Sequence, residues 1–146
     1  MLSIVLPDVI NNNYAGSPIV IIVFGLLTFV SVIRSLIHIF KHDGGAQSIA
    51  TIPLNKYSKP ASDTIILIFA YWGISQLLMA IVYGLILWKY NSLLPLGCLL
   101  FTFEWTCRLF VPIATGKYSA TDKTAPGAKG NVIFSIVGVI LFYFSV

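Results

Sequence analysis

The chain has 146 residues, 58% of them hydrophobic and only 10% charged, with a mean hydropathy of +0.91. That balance lies outside the range of water-soluble domains and leaves no stretch for a separate soluble catalytic module. The formal charge of +4 is spread over several loops rather than gathered in one basic patch, which argues for a membrane surface and against nucleic acid.

Residues 1–16 carry Asp8 and no Lys or Arg. They lack the positive n-region of a signal peptide, so the first apolar run is expected to stay in the protein. That run, residues 18–40, opens on Ser17-Pro18, a natural N-cap and first-turn pair, and is expected to stop at Asp43-Gly44-Gly45. Residues 46–54 are apolar enough to lie on the membrane surface as a short helix or re-entrant piece, with Gln47 and Ser48 at the mouth of the bundle. A second span over 63–88 follows Lys59-Pro60-Ala61-Ser62, and a short connection then returns the chain into a third over 93–113, ending around Pro112. Residues 125–130 read as a turn, with Asn131 as N-cap of a fourth span over 131–144. Uninterrupted apolar runs of this length lack the alternation of a membrane barrel. The expected fold is therefore all-α: a single domain forming a transmembrane four-helix bundle.

Orientation follows from the positive residues near the span ends. Lys41, Lys56 and Lys59 lie after the first span, and Lys117, Lys123 and Lys129 after the third. The N-terminal tail and the C-terminus have none, and the middle turn has only Lys89. Both termini are expected on the outer side. Tyr14, Trp88, Tyr90 and Tyr143 then mark the outer boundary, with Tyr57 and Tyr118 at the inner one.

In hydrocarbon the interior of a bundle is marked by small and polar residues, because apolar side chains need no burial there. Each span carries such a stripe at three-four spacing. The first has Thr28, Ser31, Ser35, His38 and His42; the second has Gly73, Gln76, Ala80 and Tyr83. The third has Gly97, Phe101, Glu104 and Arg108, and the fourth has Asn131, Ser135, Gly138, Phe142 and Ser145. Counting about 1.5 Å per residue puts Arg34 roughly 9 Å and Arg108 roughly 8 Å inside their helix ends, Glu104 roughly 14 Å, and Gln76 near the midplane.

The candidate site is Arg34, His38, Gln76, Glu104 and Arg108. Glu104 and Arg108 can pair at i,i+4, and Arg34 with His38 can reach the same acid from another helix. Two readings compete. In one, the arginines snorkel and the acid is neutralised, tying the first and third helices together. In the other, two guanidiniums against one carboxylate leave a positive excess for an anionic substrate, a lipid headgroup or a quinone carbonyl. Proton transfer through Glu104 and His38 is a third option.

His38 and His42 stand at i,i+4 but have no third ligand, so no metal is expected. Cys98 and Cys107, nine positions apart on one helix, face opposite sides and cannot bridge, and no cofactor motif is present. No GxSxG or HExxH occurs.

Asp43-Gly44-Gly45-Ala46 with Ser48-Ile49-Ala50, Ser92-Leu93-Leu94-Pro95-Leu96, Glu104-Trp105 with Arg108, and Pro126-Gly127 with Gly130-Asn131 span most of the chain. In these the sequence resembles small bacterial membrane proteins of the broad DoxX-like, four-helix kind. The resemblance implies a four-helix fold in a bacterial inner membrane and transfers no catalytic residue. The leading expectation is a non-enzymatic accessory or structural subunit, with partner membrane subunits or further copies of itself as companions. The alternative is a binding or transport protein for a small anionic or amphipathic molecule such as a lipid or quinone. A membrane enzyme acting on lipid or quinone lacks a nucleophile.

Overall fold

The computed structural model describes residues 2–116 and 126–146, and all regular structure among them is helical. A four-residue helix, α1 (Leu2–Val5), precedes four long ones: α2 (Pro18–Phe40), α3 (Lys59–Lys89), α4 (Leu94–Thr115) and α5 (Pro126–Ser145). Single 3₁₀ turns, Leu54–Lys56 and Asn91–Leu93, sit in two of the connections. Three helices are long and apolar enough to cross a membrane, and α5 adds a shorter apolar stretch, Lys129–Ser145. The chain is a membrane protein by that measure.

Three boundaries differ from the sequence expectation, and each difference falls at a proline. Helix α3 begins a turn earlier than residue 63 because Pro60 occupies its first turn, where the missing N–H has no partner to lose and the fixed φ is already helical. The same logic places Pro126 at the head of α5. Residues 126–130 are therefore helix and not turn, and Asn131 is no N-cap: its carbonyl accepts the Ser135 hydroxyl at 2.8 Å inside the helix. Pro112 lies within α4, which continues to Thr115. It removes the N–H that would bond the Arg108 carbonyl, a loss that helices in apolar surroundings tolerate better than soluble ones.

The long helices pack as two antiparallel pairs, α2 with α3 and α4 with α5. Glycine makes each seam close. A Cβ on Gly73 of α3 would stand 2.8 Å from His38 Cβ and 3.0 Å from the Ser35 carbonyl of α2. One on Gly138 of α5 would stand 2.7 Å from Thr102 Oγ1 and 3.0 Å from Thr102 Cα of α4. No other residue lets the backbones approach so far. The hydroxyls along these faces bond back to their own helices, Thr28 to Phe24 O at 2.8 Å, Ser35 to Ser31 O at 2.7 Å and Thr102 to Cys98 O at 2.7 Å. They offer small volume without an orphaned donor.

Between the pairs the packing is aromatic. Phe24 of α2 meets Phe101 of α4 across the divide at 6.3 Å between ring centroids, and Tyr83 of α3, in its own pair, at 5.0 Å. Its ring also rests on Gly97. Large apolar side chains such as Leu26, Phe29, Phe103 and Ile133 point outward, as they do where lipid, and not water, is the neighbour.

The two ends of the molecule are closed differently. At one, residues 11–14 lie over the α3–α4 turn: the Asn11 amide donates to Ser92 Oγ at 3.0 Å, the Ser92 amide to the Asn11 carbonyl at 3.2 Å, and Asn91 bonds Asn12. The C-terminus of α5 joins them through the Ser17 amide and the Phe144 carbonyl at 3.4 Å.

The opposite end carries residues 41–58. Of the two forms expected over 46–54, a short surface helix or a re-entrant piece, the helix is not formed: the segment is a series of tight turns, with Gly44 and Gly45 at φ +58° and +74°, values only glycine adopts without strain. Asp43 is buried and holds the turn, accepting the amides of Gly45 at 2.9 Å and Ser48 at 2.7 Å. Burial pushes its pKa up. The Ser48 amide and hydroxyl, the Gly45 amide and the nearby Lys41 charge outweigh burial and bring it down to about 2. Gln47 and Ser48 are exposed. Lys117, Tyr118 and Lys123, used above to orient the chain, lie outside the described residues.

Candidate intramembrane polar site

The site lies between the two helix pairs, toward the end that carries residues 41–58. Arg34 comes from α2, Trp72 and Gln76 from α3, and Glu104, Trp105 and Arg108 from α4. Each set is one turn apart on its helix, so each presents a single face. Arg108 Nη2 donates to Glu104 Oε1 at 2.5 Å, the expected i,i+4 pair. About a third of the Glu104 side chain stays accessible, against about a quarter of Arg108, so the acid is paired but not sealed.

Arg34 does not complete that ion pair: no carboxylate of the described residues lies within 4.0 Å of it. Its guanidinium instead stands 5.1 Å from the Trp105 ring and 6.0 Å from Trp72, while Arg108 stands 5.2 Å from Trp105 and 5.0 Å from Trp72. Two cations and two indoles thus share one layer. The negative ring faces hold the guanidiniums at a depth where an isolated charge is costly.

His38 stands apart from Glu104. Its Nδ1 is 2.7 Å from the Gly44 carbonyl, an acceptor only, so Nδ1 carries the proton. The ring stacks on Trp72 at 4.8 Å and meets Phe69 edge-on at 5.5 Å. The expectation that His38 reaches the acid is corrected here: the end loop captures it, and it touches the site only through Trp72. His42 lies beyond the end of α2 and is exposed, so it neither shares the helical face nor forms a pair with His38. Among the described residues no group of three metal-ligating side chains occurs.

A small cavity of about 10 Å³ opens among these residues, lined by Ser31, Arg34, Gln76, Tyr83, Glu104 and Trp105 with two apolar neighbours. It has room for about one water-sized occupant. Around it are buried polar atoms without a protein partner: both amide atoms of Gln76 and the Tyr83 hydroxyl, with Arg108 Nε further along the same layer. Such atoms are rare in a folded interior.

Sequence reasoning therefore named four of the residues that meet here and missed Trp72, Trp105 and Tyr83 as members of the site. A signal was present. Tryptophan normally marks the interface of a membrane protein, and two tryptophans deep in apolar runs, each within a turn of a charged or amide residue, suit cation–π partners better than belt anchors. No family model, no curated protein and no solved structure matches the chain.

Proposed function

We propose that the chain is a small non-enzymatic subunit of a membrane complex, built as a bundle of four membrane-crossing helices with both termini outward. Its place is the inner membrane of a bacterium, in keeping with the DoxX-like resemblance of its motifs. The observation that supports this most is the size of the interior: the charged residues engage one another and two indoles, and a cavity of about 10 Å³ admits no organic substrate. Lys41, Lys56 and Lys59 gather at the end opposite both termini, which favours that end as cytoplasmic. Purification from membranes in mild detergent tests the reading. Co-purifying chains or a defined oligomer support it, and a lone monomer at native expression sinks it.

A second reading, binding of a small anionic molecule, is favoured by the unpartnered Gln76 and Tyr83 atoms around that cavity. Lipids and quinones do not fit in its present size. Flux or binding that survives both Glu104→Gln and Arg108→Ala would refute a role for this centre.

A further inference from the structure

Charge and hydrogen-bond balance at the polar centre go further than the binding reading, on which this inference rests. The layer between the helix pairs holds two guanidiniums and one carboxylate. The carboxylate belongs to Arg108, at 2.5 Å. Arg34 has no hydrogen bond and no ion pair among the described residues; it stands over the indole faces of Trp72 and Trp105 and shares the cavity lining with the Glu104 carboxylate. One positive charge is thus left over in a region where an uncompensated charge is costly.

The neutral groups point the same way. Tyr83 is 2% exposed, nine-tenths buried and more, and lines the cavity with an unpartnered hydroxyl. The Gln76 amide is also buried and unpartnered there. Of the four orphaned side-chain atoms in this layer, Gln76 Nε2, Tyr83 Oη and Arg108 Nε can donate, and only Gln76 Oε1 is confined to accepting. With the free N–H groups of Arg34 added, donors exceed acceptors. A water molecule would satisfy single bonds and leave the charge. A carboxylate or phosphate group is too large for the space. We propose that this centre binds one small inorganic anion of halide size, held by the Arg34 guanidinium with the Gln76 amide and the Tyr83 hydroxyl as neutral donors.

The test uses the full chain in detergent, in potassium gluconate at constant ionic strength, with chloride or fluoride replacing gluconate. Thermal unfolding is followed by tryptophan fluorescence, to which Trp72 and Trp105, flanking Arg34, contribute together with the exposed Trp88. A halide should raise Tm along a saturating curve, as a ligand of the folded state does. Tyr83→Phe, which keeps the ring and removes only the donor, should shift half-saturation to at least about tenfold higher halide, as expected for loss of a hydrogen bond to a charge. Arg34→Gln should abolish the response.

No halide effect, an equal effect of every salt, or an unchanged half-saturation in Tyr83→Phe would each overturn the proposal, even if Arg34→Gln fails to fold. Butyrate separates the two levels of the argument. If butyrate raises Tm and halides do not, the halide assignment fails while the binding reading stands; if neither acts, both fall.

Discussion

The seams inside the helix pairs and the layer between them solve the same problem by opposite means. Within a pair, Gly73 and Gly138 bring backbones together until a single added carbon would overlap the neighbour. Between pairs, the gap is wide enough for rings and guanidiniums, and Phe24, Trp72, Trp105, Arg34 and Arg108 fill it. Where lipid competes equally for apolar surface, leucine contacts give no preference for helix over lipid. What remains is close packing, which small residues allow, and polar contact, which hydrocarbon cannot offer. This chain uses the first within pairs and the second across them.

Breaking the polar layer should cost most. Arg108→Met leaves Glu104 with no ion-pair partner within 4.0 Å. The variant is expected to lose about 2.5–3.5 kcal/mol of stability, and Glu104→Gln/Arg108→Met to regain much of it, since removing both charges is cheaper than stranding one. Unfolding of the purified variants in detergent measures both. Closing the seams comes next: Gly73→Leu and Gly138→Leu are each expected to cost about 1–3 kcal/mol by overpacking. If the pairs are as independent as their contacts suggest, the two losses add within about 0.5 kcal/mol.

The end loop should respond to acid on its own. Asp43 is held at about 2, below its usual 3.8, so its contribution is full above pH 4 and fades as pH falls toward 2. Hydrogen exchange of the Gly45 and Ser48 amides should accelerate over that window relative to helix interiors, and Asp43→Asn should remove the pH dependence. The smallest effect is assigned to the Lys59–Asp63 pair, 2.8 Å long and exposed on both sides. Lys59→Ala should change stability by no more than about 0.5 kcal/mol.

Helical class and the inward stripes were legible because they rest on periodicity, which lipid preserves in inverted form: small and polar inside, apolar outside. Thr28, Ser35, Gly73, Ala80, Gly97, Ser135 and Gly138 are buried for that reason. The proline-marked boundaries were harder to read, because Pro60 and Pro126 serve at a first turn while the sequence presents them like any helix breaker. The pairing of Glu104 with Arg108 follows from spacing on one helix. The reach of Arg34 does not, since it depends on how far apart the pairs stand. His38 was diverted by the Gly44 carbonyl, a partner created by two positive-φ glycines whose turn no helical pattern foretells. Asp43, next to those glycines, reads as a helix stop and acts as the clamp of the whole loop.

The claim that cations and indoles join the two helix pairs is tested most directly by a double-mutant cycle on Arg34 of α2 and Trp105 of α4, which stand 5.1 Å apart across the divide. Stability of Arg34→Gln, Trp105→Leu and the double variant should show a coupling of about 0.5–2 kcal/mol. A coupling of zero, with both single variants folded, would mean that the guanidinium and the ring do not meet and that something else holds the pairs together.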